Sequence, residues 1–204
     1  MPGMMRQKSA PQMRYSENYL WQKNMEINTQ VRFLDPSKIL AYAGLEKGAV
    51  IADFGCGNGF YPVAAAKLAG ENGQVYAVDI KNESLEATIS AAKHEGLKNI
   101  YVLKHNLENP GVPIKENSCD AVILAGILHL SKLQKNILRE TYRVLKTGGK
   151  VVVIEWKKEP LPFGPSMESR IAPADASRLF AESGFVFKSE MPADAFHYSL
   201  LFIK

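Results

Sequence analysis

Asp53, Gly55, Gly57 and Gly59 stand at alternate positions behind the apolar run 49–52, and no other feature of the 204-residue chain limits its fold as strongly. Pro62 and the alanine-rich segment 63–69 follow them. An apolar run that stops at glycines and is succeeded by a helix former reads as buried strand, tight turn and helix. Glycine permits positive φ and lets a ligand touch the backbone. The helix beyond turns its unpaired N–H groups back toward the turn. Such a turn suits a nucleotide, and the spacing narrows which one. A dinucleotide turn carries glycines at relative positions 1, 3 and 6, whereas here the sixth position is Phe60 counted from Gly55 and Pro62 counted from Gly57. A phosphate loop ending in Gly-Lys-Ser/Thr is also absent.

The rest of the chain alternates in the same way. Asp35-Pro36 gives an N-cap followed by proline at the first helical position, and Gly44 closes that short helix. Strands are expected at 49–53, 74–78, 100–103, 120–124 and 150–154. Asn82 is placed to cap a helix carrying Leu85, Ile89 and Ala92. Ser131 with Gln134 suggests a capping box ahead of a stripe that includes Ile137, Leu138, Val144 and Leu145, ended by Thr147-Gly148-Gly149. Residues 158–173 read as a loop, 175–183 as a helix, and 185–190 and 195–203 as two strands about a Pro192-Ala193-Asp194 turn. Short connections between alternating strands and helices imply right-handed βαβ units. The expected fold is α/β: a mostly parallel sheet with helices on both faces and a C-terminal antiparallel hairpin. Residues 1–18 read as a disordered tail, 19–36 as a helical appendage and 37–204 as the main domain.

Composition excludes several classes. The chain is 46% hydrophobic and 23% charged, ordinary for a globular protein. A net charge of +4 with scattered lysines does not call for a polyanion, so nucleic acid is not an expected partner. No apolar run reaches the length of a membrane span, and no secretory pattern opens the chain. Cys56 and Cys119 form neither a metal-ligand spacing nor a disulfide framework, which implies no metal and a reducing, cytoplasmic setting.

The run Asp-x-Gly-x-Gly-x-Gly resembles the first motif of the class I S-adenosylmethionine (SAM) dependent methyltransferases, which have a Rossmann-like fold. Leu145-Lys146-Thr147-Gly148-Gly149-Lys150 is similar to that family's Leu-Lys-Pro-Gly-Gly stretch, with threonine for proline. The resemblance covers residues 36–158. After strand four, Ala125-Gly126-Ile127-Leu128-His129 stands where nucleic-acid N-methylating members carry Asn/Asp-Pro-Pro-aromatic, so the likeness is to the small-molecule, type 11 branch. The loop 164–171 resembles arsenite methyltransferases, but those need a set of substrate cysteines that this chain lacks.

In open α/β sheets ligands sit at the carboxyl ends of strands. The resemblance therefore implies that SAM is the cofactor and that Asp53, Gly55, Cys56, Gly57 and Gly59 form its turn. Asp79 ends strand two, where a carboxylate suits a ribose diol, although a NAD site would carry an acid there too. Ile80 would pack on adenine. Asn106, where the family often has aspartate, would accept from the adenine amino group, with Leu107 beside it, and Ala125 follows strand four. Methyl transfer from a sulfonium needs alignment and exclusion of water more than acid–base groups. His129 is the candidate base. Glu155, Trp156, His197 and Tyr198 are candidate acceptor contacts, and Tyr19 and Arg32 are candidates for closing over the cofactor. The expected reaction is methyl transfer to a small molecule. A SAM-binding regulator and an RNA or protein methyltransferase stand as alternatives, and the chain is read as monomer or homodimer.

Overall fold

The computed structural model describes residues 35–204. The expected tail, most of the appendage, and Tyr19 and Arg32 lie outside these residues.

The elements in chain order are α1 (Pro36–Tyr42), β1 (Val50–Phe54), α2 (Phe60–Ala69), β2 (Gln74–Asp79), α3 (Asn82–His94), β3 (Ile100–Lys104) and β4 (Cys119–Ala125). A 3-10 turn (Leu128–Leu130), α4 (Gln134–Val144), β5 (Leu145–Trp156), α5 (Pro173–Glu182), β6 (Val186–Met191) and β7 (His197–Ile203) complete the order. The seven strands form one sheet in the order β3-β2-β1-β4-β5-β7-β6. Strands β1 to β5 pair in parallel. Strand β7 runs antiparallel to both β5 and β6, which is the expected C-terminal hairpin. The last strand is the inner one of that hairpin, so β6 forms the sheet edge.

Both faces of the sheet are covered, which is why the strands read as nearly unbroken apolar runs. Side chains alternate across a strand. Ala52, Phe54, Val122, Leu124, Val151 and Val153 share one core with Ile137 and Leu138 of α4 and Phe180 of α5. Their neighbours Ile51, Ala121, Ile123, Val152 and Ile154 pack on the opposite face against Ile39 and Leu40 of α1 and the alanines of α2. The small alanine side chains bring α2 close against the strands beneath it.

Local expectations fared unevenly. Asp35 caps α1 by accepting the Ser37 N–H at 3.0 Å, with Pro36 in the first turn. Asn82 does not cap α3. Lys81 holds the cap position without a side-chain bond, and Asp79 Oδ1 accepts the Lys81 N–H. No capping box forms at α4, because both members bond elsewhere. Ser131 Oγ donates to Glu108 and accepts the Leu133 N–H, while Gln134 Nε2 donates to the Leu128 carbonyl. Leu145 leaves the helix and pairs with Cys119. Thr147-Gly148-Gly149 then bulges from β5 before the pairing resumes at Ala121 and Lys150. Both bulge glycines bond to Lys204 at the far end of β7, so the stretch belongs to the sheet.

Candidate active site

The strand order reverses between β1 and β4, and a cleft of about 470 Å³ opens at their carboxyl ends. Its wall includes Gly55, Gly57, Asp79, Ile80, Asn106, Leu107 and Ala125. Seven of the expected cofactor residues thus come from the ends of four strands to one surface. The turn is built as its glycines require. Gly55, Gly57 and Gly59 all have positive φ, at 88°, 50° and 84°. Gly55 and Cys56 donate their N–H groups to the Val78 carbonyl, which ties the turn to β2.

Asp79 serves this turn as well as the cleft. Its Oδ2 accepts the Gly57 N–H at 3.1 Å, and its Oδ1 accepts the Lys81 N–H at 2.9 Å. Each carboxylate oxygen keeps acceptor capacity for a ligand diol. Ile80 is 53% exposed, an apolar face held at the cleft. Asn106 Oδ1 accepts the Glu108 N–H, which leaves a second lone pair and the amide N–H₂.

Asp53 differs from the others. It is buried, and neither oxygen has a hydrogen-bond partner among the described residues. Burial, then the charge on Asp79, push its carboxyl up from 3.8 to about 8. An orphaned buried carboxylate is costly unless something pairs with it. Its place at the head of the turn fits a cationic group, which the amino acid end of SAM carries. Together, the glycine cradle, the diol acceptor and this unpaired acid suit SAM.

Cys56 and Gly59 act from behind the wall. Cys56 is buried with its thiol against Thr88 Oγ1, and burial pushes it up to about 12. Gly59 packs on α3, where an added Cβ would meet Thr88 Cα at 2.9 Å.

A second cavity of about 580 Å³ meets the first at Ala125 and Gly126. Pro36, Phe60, Tyr61, Ile154, Trp156, Asp194 and His197 complete its lining. Strand register divides the four expected acceptor contacts between the two faces of the sheet. Trp156 pairs with His197 across β5 and β7, and their rings lie 4.2 Å apart on the cavity side. Glu155 pairs with Tyr198, and both point into the opposite core. Tyr198 donates its hydroxyl to the Ile171 carbonyl. Glu155 is fully buried and accepts from the Leu128 N–H, the His129 N–H and His129 Nδ1. Glu155 and Tyr198 therefore line neither cavity. His129, its side chain 7% exposed, lies under Gly126 on neither wall.

Sequence reasoning missed Tyr61 and Asp194. Tyr61 falls in the first turn of α2, directly behind the glycine turn, and that placement was its only signal. Asp194 stood out merely as part of a turn. Its carboxylate accepts the Phe196 and His197 N–H groups and holds His197 Nδ1 at 2.9 Å. Among the described residues, no three His, Cys, Asp or Glu side chains are grouped to hold a metal ion. No described helix is long and apolar enough to cross a membrane.

Comparison with known proteins agrees with this geometry. A family model for a methyltransferase domain matches residues 45–181, and the chain belongs to that family. The demethylmenaquinone methyltransferase of Geobacillus sp. is 31% identical over 57% of this chain and 49% of its own length. The ubiquinone/menaquinone biosynthesis C-methyltransferase of Citrobacter koseri is 30% identical over 69% of this chain and 61% of its own. A crystal structure of a SAM-dependent methyltransferase from Aquifex aeolicus superposes with TM-score 0.79 at 27% identity, covering 90% of this chain and 98% of that one. The chain spans about half the length of the first curated relatives it matches.

Proposed function

We propose that this chain transfers a methyl group from SAM to a ring carbon of a flat aromatic small molecule of the hydroquinone class. The observation that carries the reading is the junction of the two cavities at Ala125 and Gly126. One cavity offers a diol acceptor, and the unpaired acid Asp53 is buried at the head of its glycine turn. The other offers Phe60, Tyr61, Trp156 and His197, rings suited to stack on an aromatic acceptor. The names of the quinone-methylating relatives support the same acceptor class.

Bound SAM supplies an activated methyl group on a good leaving group. The protein's part is then placement and dryness. Asp53 holds the cationic amino group, Gly57 lets the ligand approach the backbone while Gly55 makes room for Ile127, and Asp79 holds the ribose. Ile80, Asn106 and Leu107 hold the adenine, while Ala125 and Gly126 form the floor where donor and acceptor meet. Cys56 and Gly59 keep the turn seated on α3. Two buried free cysteines, one pushed up to about 12 and the other to about 11, are no substrate-thiol set and suit a reducing cytoplasm.

The test is incubation with methyl-labelled SAM against matched panels of hydroquinones, amines, thiols and RNA. Label in a ring carbon of a hydroquinone is expected. Transfer to RNA or an amine alone overturns the acceptor assignment, and bound SAM without transfer to any panel points to a regulatory protein.

A further inference from the structure

We propose that His197, oriented by Asp194, is the general base that takes the proton the acceptor loses on methylation. The inference rests on the methyl-transfer reading above but not on which acceptor is used.

The second cavity has one imidazole on its wall, and that imidazole is His197. Its side chain is 16% exposed, and that of Asp194 is 3% exposed. Backbone and side-chain bonds together fix the pair. Asp194 Oδ1 accepts the backbone N–H groups of Phe196 and His197, so the carboxylate is anchored before it meets the ring. Both carboxylate oxygens then lie 2.9 Å from His197 Nδ1. Burial alone would raise the Asp194 carboxyl, yet these bonds outweigh it and hold the group below its ordinary value. An ionised carboxylate at Nδ1 keeps the proton on Nδ1 and leaves Nε2 as the basic nitrogen. Trp156, paired with His197 in register and packed on its ring at 4.2 Å between centroids with the planes tilted by 50°, limits the ring's rotation.

Among the described residues, the other charged or titratable groups packed nearby do not compete for the role. Tyr61 of α2 lines the same cavity, and burial, then Asp53 and Asp194, raise its hydroxyl far above neutrality. Lys157, past the end of β5, donates to the Ala195 carbonyl. Arg170 lies over Trp156 and is held by backbone carbonyls. The His129–Glu155 pair anchors the 3-10 turn from behind the wall.

The step balances without another reagent. A lone or π pair of the acceptor forms the bond to the methyl carbon, and the C–S pair leaves with sulfur. The acceptor's X–H pair stays on the acceptor (restoring the aromatic ring where X is a ring carbon), and the proton goes to Nε2 of His197. The imidazolium is stabilised by Asp194 until the proton passes to solvent.

Two measurements test this. In the first, His197→Gln and Asp194→Asn are assayed with the best acceptor found. His197→Gln is expected to lower kcat by about 10²- to 10⁴-fold and to abolish the acid limb of the pH profile, with KM for SAM unchanged. Asp194→Asn should move that limb to lower pH. Full kcat in His197→Gln, or an unaltered limb, overturns the proposal. In the second, the wild-type ring is followed by nitrogen NMR while 1-naphthol is added. The Nδ1–H tautomer, with an Nε2 signal that moves with naphthol, is expected. The Nε2–H tautomer, or a signal that naphthol leaves unmoved, overturns the assignment even if the variants fail to fold. If wild-type protein methylates no hydroquinone, the acceptor reading fails and the NMR result still decides His197.

Discussion

Asp79 Oδ2 accepts the Gly57 N–H at 3.1 Å, so the carboxylate at the end of β2 holds the glycine turn of β1 in place. The proposed ribose contact and the shape of the glycine turn therefore share one side chain. Asp79→Ala should weaken SAM binding by about 1–3 kcal/mol, the range for lost charge-assisted hydrogen bonds. Asp79→Asn keeps one carbonyl oxygen for the Gly57 N–H and should lose less. Calorimetric titration of both variants checks this, and an unchanged affinity in Asp79→Ala removes the ribose assignment.

If Asp53 holds the amino group of SAM as proposed, its raised carboxyl should make SAM binding depend on pH. Its carboxyl is raised from 3.8 to about 8, so the folded protein holds that proton more tightly than the unfolded chain does. The resulting contribution to stability is complete below the unfolded value and is lost as pH rises through about 8. A cationic amino group favours the ionised carboxylate, so SAM affinity should rise between about pH 6 and pH 8 and then level off, with proton release on binding below the plateau. Calorimetry in buffers of different ionisation heat measures that proton directly. Asp53→Asn should remove the proton release, weaken binding, and raise the melting temperature of the ligand-free protein above pH 8 by deleting an unpaired buried charge.

The placement of Asp53 and Asp79 at the carboxyl ends of β1 and β2 was legible in the chain. Both are polar residues that stop an apolar run, and the topology rule assigns such residues to the ligand edge of a parallel sheet. Glu155 and Trp156 obeyed the same rule, yet only Trp156 reaches a cavity. Neighbours on a strand face opposite ways, and which face carries the second cavity depends on how β7 pairs with β5. That pairing is a long-range contact with no local signature. Asp194 was hidden for a related reason: an acid in a turn looks like turn chemistry until the histidine it holds is seen on the wall. The missed capping box has a third cause. Ser131 and Gln134 have suitable chemistry, but Glu108 and the Leu128 carbonyl lie within reach and take their bonds.

Two glycines of the turn should fail differently when substituted. At Gly57 an added Cβ meets, among the described residues, only the Gly55 carbonyl oxygen at 4.0 Å, so its direction is open cleft. At Gly59 it meets Thr88 Cα at 2.9 Å, a backbone atom that cannot move without shifting α3. Both positions have positive φ, so each alanine variant carries a backbone cost of about 1–2 kcal/mol. Beyond that shared cost, Gly57→Ala should chiefly reduce SAM affinity, and Gly59→Ala should chiefly reduce the melting temperature. Thermal melts and calorimetry on the two variants separate the effects; equal loss of stability in both would contradict the open-cleft assignment of Gly57.

Arg170 shapes the second cavity, the proposed acceptor site, from outside its lining. It is 4% exposed, and its guanidinium donates to the carbonyls of Lys157, Glu159, Phe163 and Pro165. One planar group thereby folds the loop after β5 back over Trp156, whose ring centroid lies 5.8 Å away. The same loop brings Phe163 to the edge of Trp156 and places Gly164 where a Cβ would strike the indole at 2.7 Å. A lysine has one point of donation where arginine has a rigid fork, so Arg170→Lys leaves several buried carbonyls unpaired. The loop should loosen and Trp156 lose its backing, while the cleft at the ends of β1 to β4 is untouched. The expected result is a KM for the acceptor raised about tenfold, corresponding to roughly 1.4 kcal/mol, with SAM affinity unchanged. Steady-state kinetics in the acceptor, paired with calorimetry for SAM, reads both quantities. A parallel loss of SAM affinity would show instead that the loop supports the whole domain rather than the acceptor wall.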